Sequence, residues 1–352
     1  MKGPFTDSKA VKGPFTAPPA YPIARLPEVG GVTRLIKRNG GDVKGRYMRT
    51  ESISRVARPV RACLSGEDLD WLGGRSVCVA LDLCTTVELA ESGGKTEWSA
   101  EIWAFLRERI PALPPEPPPV RVTSLAPLAS GLSSSTALIL GLFEVFVPAA
   151  SGISREQVIQ WAYEFEFAIC NGGGMDHLAI ALGGVTLFHG RPAGLPEVGG
   201  RIGLPAEWSL VVIDSGTPKS TPDHIRSVRA QCAAGDPVLA EYVARSDDAS
   251  GVVWKGIQAE DLEMVSTGMA AAHEAMRDCQ QMSTSLLEQL RVRAYQAAGM
   301  TLKVSGAGGG GALVGVCATA DAPALTSALR AAYQRSHPGV QVLVAAPAPS
   351  LS

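Results

Sequence analysis

The chain has 352 residues, 46% of them apolar and 19% charged, with a formal net charge of -2. That length and composition suit two globular domains, each with its own core, and exclude a disordered chain. The near-neutral balance lacks the clustered basic excess of a nucleic-acid binder, so no nucleic-acid partner is expected.

Seven cysteines are scattered, at Cys63, Cys78, Cys84, Cys170, Cys232, Cys279 and Cys317, with no C-x-x-C pair. The odd count and the spacing argue against a disulfide framework and against a zinc site, and suggest reduced thiols. The N-terminus lacks the apolar run of a secretory signal. The most apolar helix candidate, Thr136 to Ala150, is short for a membrane span and carries Glu144. A cytoplasmic protein with no membrane partner is expected.

Residues 1–50 read as a Gly/Pro-rich extension in which KGPFT occurs at 2–6 and again at 12–16, too short a unit to be a structural repeat. Ordered structure is expected to begin near Val32 and to be firm from about Ser52. SVCVALDLCTTVEL (76–89) alternates like a strand. PPEPPP (114–119) is a loop, and VRVTSLAPLASG is a strand entering a Gly/Ser turn. SSSTALILGLFEVFVP is apolar on almost every side, as a buried helix is. Ser154 and Gln157 form a capping box that opens a helix over 155–170. A glycine turn at 172–174 and the strand GGVTLFHG follow. A second unit is expected from near Trp208: the strand WSLVVIDSG, helices over roughly 223–245, 255–276 and 283–297, a strand–glycine loop–strand or helix segment in LKVSGAGGGGALVGVCA, a helix over 322–335, and a last strand from Val340 to Ala345. The mixture points to α+β layers, divided as 51–205 and 206–352.

Four segments can carry chemistry. PLASGLSSST (Pro127 to Thr136) takes a strand through a glycine loop into a helix, whose first free N–H groups and dipole make an anion site. Serine hydroxyls there add donors or a magnesium ligand; an ordinary serine-rich cap is the plainer alternative. Gly94-Lys95-Thr96 resembles the end of a Walker A loop, but Leu89 occupies the place of its first glycine, so Lys95 is read as a surface residue. YEFEFAICNGGGMDH (Tyr163 to His177) presents Asp176 after a glycine turn, as a base or as a cap. Glu164 and Glu166 lie two apart on a helix and cannot both face one site. KVSGAGGGGA (Lys303 to Ala312) can lie directly against a ligand or simply turn the chain. RACLSGEDLDWLGG gathers Arg61, Glu67, Asp68 and Asp70; such carboxylates suit vicinal hydroxyls, although a solvated acidic turn reads the same.

Taken in order over roughly residues 52–345, these segments resemble the GHMP kinases. PLASGLSSST looks like that family's phosphate loop and KVSGAGGGGA like its C-terminal glycine motif. RACLSGEDLDWLGG and EFEFAICNGGGMDH are similar to the galactokinase signatures. The resemblance implies a ribosomal S5 domain 2-like N-terminal domain, a ferredoxin-like C-terminal domain, and phosphoryl transfer from ATP with Mg2+. It implies Asp176 as catalytic carboxylate with Arg61 stabilising it or the phosphoryl group. Pro127, Ser130, Gly131, Leu132, Ser133, Ser134, Ser135 and Thr136 would bind ATP, and Ser135 and Glu164 the metal. Glu67, Asp68, Asp70, Gly174, Gly308 and Gly309 would line the acceptor site. The sequence departs from galactokinase at Asp68, where that family has histidine, at Trp71, where it has tyrosine, and after Asp214, where no tyrosine follows. The expected acceptor is therefore a modified or extended sugar, such as a heptose, octose or amino sugar, phosphorylated at the anomeric hydroxyl to a sugar 1-phosphate. A mevalonate- or homoserine-like alcohol and a catalytically silent sugar sensor are the alternatives. Monomer and homodimer are both compatible with the sequence.

Overall fold

A computed structural model describes residues 54–350, except 93, 95, 97, 128, 129, 219 and 220. The chain divides into Met1–Tyr47 and a compact unit, Met48–Ser352, and every described residue lies in the second. The KGPFT extension, the expected start of order near Val32, and Lys95 lie outside the described residues.

Two antiparallel sheets organise the unit. The first uses β1 (Arg55–Ser65), β2 (Arg75–Leu89), β3 (Val120–Ser124), β4 (Val185–His189) and β5 (Glu197–Ile202). The order is β1-β2-β4-β5, with β3 also on β2. At 15 residues β2 is long enough to give one edge to β1 and to divide the other: Arg75–Val79 pairs with β4 and Thr85–Leu89 with β3. The second sheet runs β7-β8-β6-β9, from β7 (Lys303–Val304), β8 (Ala312–Ala318), β6 (Trp208–Asp214) and β9 (Gln341–Ala345). After β9 the chain returns to β2, where the Asp82 N–H donates to the Ala346 carbonyl and the Ala346 N–H donates to the Asp82 side-chain Oδ1, each at 3.0 Å.

Five α-helices fall within the first sheet's stretch of chain: the single turn α1 (Leu69–Leu72), α2 (Ser99–Arg109), α3 (Ser134–Phe146), α4 (Arg155–Cys170) and α5 (Met175–Leu182). The expected cap of α4 is present, Ser154 accepting the Gln157 N–H at 3.2 Å. Both α3 and α5 pack on β1 and β2; α7 (Pro237–Gln258) covers the same two strands, and α8 (Leu262–Gln280) packs on β1 and on β7 and β8. Covered by both groups, β1 is continuously buried from Pro59 to Ser65 instead of alternating. The unanticipated α2 is fastened by Ile102, Trp103 and Leu106, with Trp103 edge-on to Phe146 at 5.2 Å.

The helical expectation after residue 220 needs correction. The span read as 223–245 is two helices, α6 (Thr221–Ala234) and α7. Gly235 takes φ +64°, Asp236 caps Val238 N–H at 2.9 Å, and Pro237 fills the first helical position. Together these stop one helix and start another. Likewise α8 begins at Leu262, not near 255, because α7 continues to Gln258 and Asp261 caps Met264 at 2.9 Å. α9 (Ser285–Ala298) and α10 (Ala322–Gln334) follow the expectation closely. All seven cysteines are free, four of them buried, and among the described residues no helix is long and apolar enough to cross a membrane.

Candidate active site

Three of the four sequence segments converge on Asp176, which sits in the first turn of α5. Arg61, 3% exposed in β1, grips it with two nearly parallel bonds: Nε to Oδ1 at 2.7 Å and Nη2 to Oδ2 at 2.8 Å. Its third nitrogen, Nη1, donates to the Gly131 carbonyl at 2.7 Å, and its backbone N–H donates to the Leu132 carbonyl at 3.0 Å. One arginine thus fixes both the carboxylate and the loop expected to hold phosphate. The Ser133 hydroxyl also donates to the carboxylate, at the same Oδ2 that accepts Arg61 Nη2. Burial alone raises the Asp176 pKa, but the charge and hydrogen bonds of Arg61, helped by Ser133, outweigh it and hold the carboxyl below its ordinary value. The Asp176 side chain keeps 25% of its surface exposed, so a ligand can reach it.

The phosphate-loop segment opens α3. Gly131 (φ +86°) and Ser133 (φ +56°) are both left-handed, and Ser133 is the N-cap residue, yet its hydroxyl goes to Asp176 and not to the helix. The first N–H groups of a 13-residue helix, beginning at Ser134, Ser135 and Thr136, are therefore left for an external anion. Ser130 donates to the Pro127 carbonyl at 2.9 Å and is buried, as is Leu132, while Ser135 is exposed. Leu128 and Ala129 lie outside the described residues.

Asp70 sits beneath the glycine turn. It is 2% exposed and accepts the Met175 N–H at 3.0 Å. Burial pushes its pKa up to about 7; that hydrogen bond and Arg61 oppose the shift, and nearby Asp176 and Asp68 add to it. Gly173 is required here, since a Cβ would lie 1.8 Å from Asp70 Oδ2. Gly174 is buried against Leu195 and Tyr163.

Each of the remaining carboxylates has at least one partner, while Glu67 Oε2 and Glu166 Oε2 are buried without a hydrogen bond among the described residues. Asp68 takes φ +65°, accepts Trp71 Nε1 at 3.3 Å, and pairs with His224 Nε2 of α6 at 2.6 Å. Glu67 points inward, 2% exposed, and its Oε1 accepts both Lys303 Nζ and the Gly306 N–H. Glu164 is engaged by Gln160 at 3.1 Å and by Arg109 at 3.4 Å. Glu166 faces α3, where its Oε1 accepts Thr136 Oγ1 at 3.2 Å. Its Oε2 lies 3.0 Å from His177 Nε2, a close ion-pair contact without hydrogen-bond geometry, and both atoms are buried. Gly308 packs on the Met282 backbone and Gly309 donates to the Met282 carbonyl at 2.7 Å, so the glycine loop is held from below by that residue.

Sequence reasoning missed Lys303, His224 and Arg229. Arg229 of α6 stacks over Trp71 at 4.5 Å and donates to the Asn171 carbonyl at 2.7 Å. Lys303 had a legible signal: a lysine between Leu302 and Val304 in a buried strand must have an internal partner. His224 and Arg229 had none, because only the fold brings α6 over α1.

Residues 100–184 match the model of the GHMP kinases N terminal domain. Among solved structures, a Lactococcus lactis galactokinase complexed with galactose superposes with a TM-score of 0.68 at 17% identity, covering 86% of this chain and 96% of that one. L. major mevalonate kinase in complex with R-mevalonate gives 0.64 at 17%, covering 84% and 97%. Streptococcus pneumoniae phosphomevalonate kinase gives 0.65 at 14%, covering 82% and 97%. Likeness at such identities establishes the fold. No curated protein matches the chain by sequence.

Proposed function

We propose that this chain is a GHMP kinase that transfers the γ-phosphoryl group of ATP to a hydroxyl of a sugar, a reading supported by the match of residues 100–184 to the GHMP kinases N terminal domain and by the fold it shares with galactokinase and mevalonate kinase. The observation that carries the reading is the triad of Asp176, Arg61 and Ser133 set beside the open start of α3. Phosphoryl transfer asks chiefly for positioning and for charge neutralisation. The first turn of α3 supplies N–H donors and a positive dipole to the triphosphate. Asp176 orients the acceptor hydroxyl; with its pKa held low it is a weak base, so it takes the proton late, as the new O–P bond forms and the bond to ADP breaks. Arg61 offsets charge on both partners.

The side chains read as holding magnesium are Ser135, exposed in the first turn of α3, and Glu166, whose Oε1 accepts the neighbouring Thr136 hydroxyl at 3.2 Å while its buried Oε2 lies 3.0 Å from His177 Nε2. Ser135 and Glu166 would hold the ion in place of the expected Ser135 and Glu164, whose carboxylate faces Arg109. Bound there, magnesium neutralises charge on the phosphates.

The acceptor is read as a sugar phosphorylated at its anomeric hydroxyl, on the likeness of the first segment to galactokinase. Asp68, the basis for expecting an amino sugar, has both oxygens partnered by His224 and Trp71, so the extended neutral sugars are preferred. One observation favours a second reading, an anionic alcohol: Arg229 at this rim faces no carboxylate among the described residues. The test is ADP release with Mg-ATP across aldoses, heptoses, octoses, amino sugars and mevalonate, beside Asp176→Asn. Turnover of a sugar that disappears in the variant supports the proposal. Turnover of mevalonate alone selects the second reading, and silence with every acceptor, while ATP still binds, overturns a kinase acting on any of them.

A further inference from the structure

The buried pair of Glu67 and Lys303 joins two segments 236 residues apart in sequence. Lys303 is fully buried in β7, the most enclosed charge in the unit's second sheet. Its ammonium has three acceptors: Glu67 Oε1, the Val304 carbonyl at 2.7 Å and the Cys63 carbonyl at 3.3 Å. Glu67 in turn receives the Gly306 N–H at 3.2 Å, the first amide of the glycine loop. Its own backbone carbonyl is held by the Tyr242 hydroxyl at 2.8 Å. A carboxylate so placed faces the inside of the protein.

What the pair holds is the junction between the glycine loop and the phosphate loop. The residue between Val304 and Gly306 is Ser305, fully buried. Its hydroxyl donates to the Gly131 carbonyl at 3.2 Å and accepts the Cys63 N–H at 3.2 Å. Further along, Ala312 N–H donates to the Ser130 carbonyl at 2.6 Å. Gly311 approaches that same carbonyl so closely that a Cβ would lie 2.6 Å from it. Gly131 is also the residue whose carbonyl Arg61 grips. A run of direct contacts therefore leads from Lys303 and Glu67 through Ser305 to Gly131, and from there to Arg61 and Asp176.

We propose that Glu67 and Lys303 are positioning residues for the nucleotide side of the site: the pair locks the glycine loop against the phosphate loop, and Glu67 is not an acceptor ligand. This rests on the kinase reading above. A buried charge left alone is far more disruptive than the loss of both partners. Glu67→Gln and Lys303→Met should therefore each do more harm than the double variant, because only the single changes strand a charge.

The experiment measures binding of a non-hydrolysable ATP analogue with magnesium, and separately the KM values for ATP and acceptor. It uses wild type, Glu67→Gln, Lys303→Met, the double variant and Ser305→Ala. The expected result is a tenfold or greater weakening of analogue binding and a matching rise in KM for ATP in both single variants. KM for the acceptor stays within twofold, and the double variant recovers part of the loss. Ser305→Ala keeps the buried pair and removes only the hydroxyl on Gly131; it should show the same nucleotide-selective rise, and it decides the matter if the charge variants do not fold. An acceptor KM that rises in Glu67→Gln while Lys303→Met leaves it unchanged, or Ser305→Ala indistinguishable from wild type, overturns the proposal. Failure of the wild-type chain to bind the analogue would instead overturn the kinase reading.

Discussion

Asp70 is the group whose ionisation the fold most directly opposes at neutral pH, and replacing it with asparagine measures that opposition. Its carboxyl goes from an ordinary 3.8 to about 7 in the folded chain, driven first by burial. The sign follows from which state holds the proton. Below about pH 4 both folded and unfolded chains are protonated at this site, and no penalty exists. As pH rises toward 7 the unfolded chain releases its proton while the folded chain keeps it, so wild-type stability falls. At ~1.4 kcal/mol per unit the whole penalty is about 4 kcal/mol above pH 7, of which about 3 kcal/mol accrues above pH 5. Asp70→Asn is neutral in both states, and its carbonyl oxygen can still accept the Met175 N–H. Urea unfolding midpoints at intervals from pH 5 to pH 8 give the comparison. The variant should gain on wild type by about 3 kcal/mol across that range, and other titrating groups cancel in the difference because both proteins contain them. Parallel stability curves would mean that Asp70 is an ordinary ionised carboxylate and that its burial has been compensated.

Arg61→Lys keeps a charge but loses the paired bonds to Asp176 and the bond to Gly131, so kcat should fall by roughly a hundredfold or more with the chain still folded by circular dichroism. Gly173→Ala places a methyl against Asp70 and displaces it from the Met175 N–H; acceptor KM should rise by roughly 5- to 100-fold, the equivalent of losing one buried hydrogen bond, with KM for ATP unchanged in initial-rate kinetics. Glu166→Gln should raise the half-saturating magnesium concentration roughly tenfold, whereas Glu164→Gln should leave the magnesium titration where it is.

The elements that local rules specify were legible in the sequence. Ser154 and Gln157 mark the start of α4 because a cap is made between residues three apart. The β6 strand is readable because a run of buried apolar residues needs no knowledge of its partners. α2 was hidden for the opposite reason: its arginines and glutamates mask a stripe of only Ile102, Trp103 and Leu106, whose packing on α3 is decided by tertiary contact. The join of α6 and α7 was written in Gly235-Asp236-Pro237, which carries both a stop and a start, but helical propensity on either side concealed it.

For the site, residue identity was more legible than residue orientation. Asp176, Arg61 and the serine loop meet because each sits next to a glycine turn or on a continuous buried strand, where few directions are open. The carboxylates behave differently. Glu164 and Glu166 differ by two positions on one helix, so about 200° of rotation separates them, and only the placement of α4 against α3 decides that Glu166 meets Thr136. Glu67 and Asp68 are adjacent in sequence, yet one is clamped inside by Lys303 and the other is held at the rim by His224. Their partners come from β7 and α6, more than 150 residues away. A carboxylate in a motif can serve a ligand or a distant cation of its own chain. The sequence within the motif carries no term that separates the two; the burial of the cation does.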